Sequence, residues 1–339
     1  MPKISVLLPF FNAERYIGTA VSSILNQTYD DFELICIDDG STDNSVRVVE
    51  RLAKRDRRIR IIYQAQNQGI AHSLNRGIEA SKGQHIARMD ADDIAHPQRL
   101  EAQGAFLDNR KSIDFVSCAH RIINPKGKYL VNANRLYSQI GTYTFISLFT
   151  APFIHSSMMF RSTFIKQFMY SEETRHANLE DYELWQRMLF NKAKVHILKE
   201  PLMYYRQHSK NVTHTNRKAR HRDATEFCQK AIAQRLGLQC NITLTDALRG
   251  KREYGLDKVE QFFTEAISKY SHLYHLPETA KPEILDFKQR TLSEIAFKNI
   301  KRRKKEEWVK SVKFLLGQSA GRHYLYARIY NYIINSFSR

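Results

Sequence analysis

An α/β fold is expected over the first two thirds of the chain, a mostly parallel sheet between helices, with a helical appendage after it. Three features of the sequence carry this. Apolar runs of strand length alternate with stretches of helical period from Ile4 to Met89, acidic residues recur where those runs end, and near residue 215 the chain turns basic and helical. Strands alternating with helices of about 10–15 residues build parallel sheets, because each crossover must return the chain to the same edge.

The elements follow in order. Ile4–Pro9 reads as a buried strand, and Tyr16, Ile17, Ala20, Val21, Ile24 and Leu25 recur at helical spacing. Phe32–Ile37 is the next strand and Asn44–Ala53 the next helix; Ile59–Tyr63, Ile70–Ala80 and His85–Met89 continue the alternation. Beyond Asp114 the clearest strands are Phe115–Ile123 and Ser157–Phe160. Leu184, Trp185, Met188 and Leu189 keep helical spacing in Asp181–Phe190. After about Asn216 a basic helix, Arg217–Arg235, opens a helical remainder with breaks near Gly250, Pro277 and Pro282. The expected division is an α/β domain over 1–215 and a basic helical region over 216–339.

Composition bounds the class. With 42% hydrophobic residues and only 13 Gly and 8 Pro, the chain can build a core and is neither disordered nor fibrous. Cys36, Cys118, Cys228 and Cys240 are far apart with no paired spacing for zinc, so buried free thiols in a reducing compartment are expected. The apolar start is short, Pro9 interrupts it, and no small-residue cleavage site follows, so it is not read as an export signal. No apolar run reaches the length of a spanning helix. A cytoplasmic protein, peripheral on the inner face of the membrane, is the expectation, and the sequons at Asn211 and Asn241 are then chance matches. The charge is the unusual feature: 53 Lys and Arg against 35 Asp and Glu leave +18. Eleven basic and two acidic residues between Ala296 and Arg339 supply half of it. Such a balance implies an anionic partner.

In an open parallel sheet, ligands bind beyond the carboxyl ends of the strands. There the sequence places Pro9-Phe10-Phe11-Asn12 after the first strand, Asp38-Asp39-Gly40-Ser41-Thr42-Asp43 after the second and Asp90-Ala91-Asp92-Asp93 after the fourth. The second group is also ordinary turn and helix-cap chemistry. The third is harder to explain that way. Three carboxylates in four residues repel one another, an arrangement that a divalent cation neutralises.

These segments, in order and spacing, resemble the family-2 glycosyltransferases of the GT-A fold. The likeness runs over roughly residues 3–210 through Ile4–Asn12, Ile37–Asp43, Asn67-Gln-Gly69, Asn75-Arg-Gly-Ile78 with Gly83, Met89–Asp93 and Leu179-Glu-Asp-Tyr182. The resemblance implies an inverting transferase that takes a sugar from a nucleotide-sugar, typically a UDP-sugar. It implies that Asp39 hydrogen-bonds the base, that Pro9, Phe10, Phe11, Asn12 and Asn67 line the nucleotide, and that Asp90, Ala91 and Asp92 meet ribose and diphosphate. Mn2+ or Mg2+ is implied on Asp92 or Asp93, with His208 completing the shell. Glu180-Asp181 matches the acidic pair in which the Asp is the general base, and His155 falls on the acceptor side. One departure stands out: Leu74 occupies a position where many relatives carry an Arg that approaches the diphosphate. Arg88 and Arg99 are candidates to replace that charge.

The tail and the rival classes complete the reading. Lys298 to Lys305 is almost wholly basic. Trp308, Val312, Leu315 and Leu316, then Tyr326, Ile329, Tyr330, Ile333 and Phe337, form apolar helical faces. That pattern suits an anionic membrane surface, and equally a helical appendage packing on the catalytic domain or on a second subunit in a homo-oligomer. A lipid-linked or glycan acceptor in surface-polysaccharide synthesis would fit the membrane reading. A nucleic-acid-binding role has no signature here and acidic clusters against it. A sugar-phosphate nucleotidyltransferase would need a Gly-rich basic loop after the first strand, which Phe10-Phe-Asn-Ala13 is not.

Overall fold

The computed structural model describes residues 1–132, 137–172, 179–209, 211, 217–249, 254–301, 311 and 314. The chain runs β1 (Ile4–Phe10), α1 (Ile17–Leu25), β2 (Phe32–Asp38), α2 (Ser45–Ala53), β3 (Ile59–Tyr63), α3 (Ile70–Ala80) and β4 (His85–Arg88). It continues through β5 (Ile94–Ala95), α4 (Arg99–Asn109), β6 (Phe115–Ile123), β7 (Tyr129–Asn132), α5 (Ile140–Ile146), β8 (Met159–Arg161), α6 (Ser162–Phe168), α7 (Glu180–Phe190) and β9 (Val195–Arg206). The helices α8 (Arg217–Leu236), α9 (Ile242–Leu248), α10 (Leu256–Tyr274) and α11 (Lys281–Lys301) follow. Two compact units result: Met1–Ile140 with Ala151–Arg220, and Gly141–Thr150 with the chain from His221 onward.

The first unit is built on one sheet of order β3-β2-β1-β4-β8-β6-β9-β5, with β7 added to β6. β1 pairs in parallel with β2 and β4, and β2 with β3, so their carboxyl ends share one edge. Every residue of β1 and β2 is buried, which is why they read as unbroken apolar runs rather than alternating ones. The polar exceptions are paired: Ser5 donates to Glu33 Oε1 at 2.7 Å and accepts from the Gly83 N–H at 2.8 Å. Gly83 is obligatory for that approach, since a Cβ there would lie 2.5 Å from the Ser5 nitrogen. β8 runs antiparallel to both β4 and β6, ending the parallel run.

Against expectation, Ser157 belongs to a short 3-10 turn, His155–Ser157, and the strand behind it is Met159–Arg161. The twelve-residue β9 has no clean alternation in sequence. Its pairing with β6 shifts register twice around Ala119, opposite Pro201, so neither side-chain period nor continuous burial marks it. Trp185 on α7 is fully buried, its ring 5.8 Å from Phe153, 6.0 Å from Phe160 and 6.3 Å from Phe115. This aromatic packing holds the start of α7 in place.

The second unit is helical. Phe145 and Phe149 pack against Tyr270, Phe263 and Phe287. The Tyr270 hydroxyl donates to the Gly141 carbonyl at 3.0 Å. All four cysteines are free thiols, three of them buried and Cys240 partly so. Among the described residues no helix is long and apolar enough to cross a membrane. The apolar faces expected on Trp308, Val312, Leu315, Leu316 and from Tyr326 to Phe337 lie outside the described residues.

Candidate active site

The shared edge of β1, β2 and β4 carries three loops, and each is tied by its own side chains. After β1, Asn12 takes a left-handed backbone (φ 48°), which asparagine tolerates better than most residues. Its Oδ1 accepts from the Thr42 N–H at 2.8 Å, and its own N–H donates to Ser41 Oγ at 3.1 Å. After β2, Asp38 accepts from the Ser41 N–H at 3.0 Å and Asp43 from the Glu14 N–H at 3.0 Å. These two carboxylates therefore serve the turn chemistry that the sequence also allowed. Asp39 differs. Buried, it accepts from the Gln68 N–H at 2.8 Å through Oδ1 and from the Gly69 N–H at 3.0 Å through Oδ2. It thereby docks the Asn67–Gly69 loop onto β2. Gly40 makes the fit possible: a Cβ there would lie 2.7 Å from the Gln66 carbonyl carbon, and its φ of 76° suits only glycine well. Pro9 and Phe10 are buried in β1, whereas Phe11 and Asn67 stand exposed.

The third loop holds the acidic cluster. One carboxylate oxygen from each of Asp90, Asp92 and Asp93 lies within 4.8 Å of the others, with Asp93 fully buried and the other two partly open. Asp93 is locked from both sides: Ser156 Oγ donates to Oδ2 at 2.6 Å and the Arg206 N–H to Oδ1 at 2.9 Å. Asp92 Oδ2 meets His208 Nε2 at 2.9 Å and Asn211 Nδ2 at 3.3 Å. Asp90 is ion-paired with Arg88. Burial, then the neighbouring Asp90, raises the pKa of Asp92, and burial with Asp90 and Asp92 lifts that of Asp93 well above the ordinary range. Such a cluster attracts positive charge, and its hard oxygen donors suit Mg2+ or Mn2+.

The fourth part comes from α7. Glu180 is buried at its first position, with Asp181 beside it partly open. Burial and the adjacent Asp181 push the Glu180 carboxyl from 4.5 up to about 7, and burial also raises Asp181, opposed by Arg220. His155 lies behind, its Nδ1 3.9 Å from Glu180 Oε1 and its Nε2 2.6 Å from the Tyr170 hydroxyl. Burial, then Arg88, keeps this imidazole well below its usual pKa and therefore neutral. A raised carboxyl pKa means the folded state holds the proton more tightly than the unfolded chain. Stability from Glu180 is thus present below pH 4.5 and lost as pH rises through about 7. Glu180→Gln is expected to raise the thermal midpoint at about pH 8 and to change it little at about pH 4. An equal shift at both pH values would show that ionisation of Glu180 is not the cost.

Several contributors were not legible in the sequence. Arg206 donates through Nε to the Asp92 carbonyl at 2.7 Å, and its guanidinium lies 4.8 Å from the centre of the Tyr16 ring. Tyr16 in turn packs on the His208 ring at 4.8 Å. Asn75, which the sequence already offered as part of a motif, clamps the Tyr170 backbone, with 2.8 Å and 2.9 Å bonds in both directions. Of the two arginines considered for the missing diphosphate charge, Arg99 is fully buried and spent on the Arg88 and Met158 carbonyls, at 2.7 Å and 3.2 Å. Leu74 is core.

Comparison with known proteins decides the family. The model of glycosyl transferase family 2 matches residues 5–168. A putative glycosyltransferase, EpsE of Bacillus subtilis, is 32% identical over 210 residues, covering 61% of this chain and 74% of that protein. This chain belongs to glycosyltransferase family 2. An uncharacterized glycosyltransferase of Methanocaldococcus jannaschii is 31% identical over 60% of this chain and 71% of its own length. Among solved structures, Staphylococcus aureus TarS 1-349 in complex with UDP-GlcNAc superposes with a TM-score of 0.58 at 16% identity, covering 89% and 92% of the two chains. A Pyrobaculum calidifontis mannosyltransferase in complex with GDP-Man and Mn2+ gives 0.51 at 14% identity over 88% and 87%. The fold of this family-2 glycosyltransferase is GT-A.

Proposed function

We propose that this glycosyltransferase moves a hexosyl or N-acetylhexosaminyl group from a UDP-sugar to a hydroxyl of a glycan or lipid-linked acceptor, with inversion, in cell-surface polysaccharide synthesis. The observation that carries the reading is the placement of two acidic sets, Asp90–Asp92–Asp93 and Glu180–Asp181, around one buried arginine, Arg88. One set suits a diphosphate with its cation, the other a proton acceptor.

In this reading Asp39 accepts from the base N3–H, its carboxylate already oriented by the Gln68 and Gly69 N–H groups. Exposed Phe11 and Asn67 flank the base, and Asn12 with Pro9 and Phe10 shape the wall beneath. Asp90 and the Ala91 backbone meet ribose and diphosphate. Asp92 would hold Mn2+ or Mg2+ with His208, which would stabilise charge on the departing diphosphate as a Lewis acid. Asp93, with both oxygens engaged, positions that turn. Asp181 takes the proton from the acceptor hydroxyl as its oxygen bonds to the anomeric carbon. The bond from that carbon to the phosphate oxygen breaks, and the nucleoside diphosphate leaves with the electron pair. Burial raises the basicity of Asp181, and Glu180, itself raised to about 7 and beside neutral His155, holds its proton below neutrality and so leaves Asp181 to carry the charge. The excess of +18 supports work at an anionic membrane surface.

The test is a donor panel: nucleoside diphosphate release from UDP-, GDP- and dTDP-sugars, with Mn2+ and with EDTA, and membrane lipid extract as acceptor. Release from a UDP-sugar that needs the cation and speeds up with acceptor is expected. Equal release in EDTA would overturn the metal-dependent reading, and preference for another nucleotide the UDP assignment.

A further inference from the structure

The β6–β7 hairpin projects an unusual surface. Every residue from Pro125 to Val131 is exposed, and three consecutive large apolar residues, Tyr129, Leu130 and Val131, are 54%, 52% and 50% exposed. Successive strand side chains point to opposite faces, so Tyr129 and Val131 open on one face of β7 and Leu130 on the other. From Phe115 to Asn132 there is no acidic residue, while Arg121, Lys126 and Lys128 are basic. The Arg121 guanidinium lies 5.8 Å from the Tyr129 ring centre. The turn is built: Asn124 Oδ1 accepts from the Lys126 and Lys128 N–H groups, each at 2.9 Å, with Gly127 at φ 81°.

We propose that this hairpin is the element that docks on an anionic lipid surface, Leu130 and its neighbours entering the headgroup layer and the lysines meeting lipid phosphates. A second copy paired along the β7 edge is the rival occupant. Charge decides against it: a second copy of the hairpin would bring no acid to Arg121, Lys126 and Lys128, and lysines at a strand edge oppose edge-to-edge addition. An anionic bilayer satisfies both the apolar and the basic parts at once. The hairpin is also wired to the site. Arg206 Nη1 donates to the Asn124 and Pro125 carbonyls at 3.4 Å and 3.2 Å, and Nε of the same guanidinium to the Asp92 carbonyl at 2.7 Å. A docked hairpin therefore holds the Asp92 turn one guanidinium away from the membrane-facing turn, where the head of a lipid-linked acceptor would be presented. That last step rests on the glycosyl-transfer reading; the docking does not.

The experiment uses the full chain. Leu130→Trp is mixed with phosphatidylcholine vesicles containing or lacking phosphatidylglycerol, and its emission is compared with that of the wild type. A blue shift, quenched by brominated acyl chains and seen only with phosphatidylglycerol, is expected. Lys126→Glu with Lys128→Glu should weaken vesicle affinity about tenfold or more. Leu130→Ser with Val131→Ser should weaken it while leaving cation-dependent sugar-nucleotide hydrolysis in vesicle-free buffer unchanged. Vesicle binding in which the Leu130→Trp protein shows no emission change beyond that of the wild type would overturn the hairpin and leave the membrane reading standing. No vesicle binding at all would sink both. A dimer that dissociates in the Leu130→Ser, Val131→Ser variant without any vesicle effect would assign the surface to a second copy. Absence of nucleoside diphosphate release by the wild type, with acceptor as well as without, would count against the proposed donor and leave the docking standing.

Discussion

Asp181→Asn is expected to lower the rate of sugar transfer by about two to four orders of magnitude while donor affinity stays within a few-fold. The substitution keeps the shape of the side chain and its oxygen can still accept from the Tyr182 N–H, a 2.8 Å bond in the native protein. In the proposed reaction it removes the basic oxygen that takes the acceptor proton. Because burial raises the pKa of Asp181, replacing it by a neutral amide should not destabilise the fold above neutral pH. Single-turnover transfer, nucleotide affinity by calorimetry and the thermal midpoint separate these effects. Retained transfer, or a product with retained anomeric configuration, would exclude Asp181 as the base of a single displacement. The acid limb of the rate profile should lie nearer neutrality than for a free carboxylate, because burial raises the pKa of Asp181.

Asp92→Ala should cost a comparable factor through a different quantity. In the proposed reaction Asp92 holds the cation, and losing that ligand would weaken charge stabilisation by several kcal/mol, on the order of a hundredfold to a thousandfold in rate. It also takes away one of three mutually repelling carboxylates, so the cation-free protein should be no less stable than the native one. Mn2+ is expected to raise the thermal midpoint of the native protein, and that rise should disappear in the variant. Asp93→Ala is the instructive contrast. It strands the Ser156 hydroxyl and the Arg206 N–H, both buried, at about 1–3 kcal/mol each, and should lose stability first. Should the two variants behave alike in stability and in response to Mn2+, the division of labour between these neighbours would be wrong.

What could be read from sequence follows from how local the cause is. β1 and β2 are buried on both faces, so their apolar runs are continuous and visible, and the acidic turns after β2 and β4 are consecutive residues. The partners that lock those turns come from far along the chain: Ser156 lies 63 residues from Asp93, Arg206 113, and His208 116 from Asp92. No periodicity announces such a pairing. Arg206 ends a strand whose pattern is broken by Pro201 and by register shifts, so the strand itself is hidden. Arg99 misleads for the opposite reason. A charged residue near an acidic turn looks functional in sequence, and only its full burial against backbone carbonyls identifies it as a bracket.

The contact at Gly40 bears on how this enzyme can diversify. There the β2 turn and the Gln66–Asn67 backbone meet with no room for a methyl group, and Asp39 fastens the same loop through two main-chain N–H groups. Main chain against main chain leaves few neutral steps: most substitutions at Gly40 or Asp39 would pry the loop away. Drift at this end is therefore channelled into the exposed side chains of Phe11 and Asn67, while the architecture beneath them is inherited whole. Lineages sharing the Gly40–Asp39 lock should vary at Phe11 and Asn67 while keeping the Gln68–Gly69 main chain in the same place.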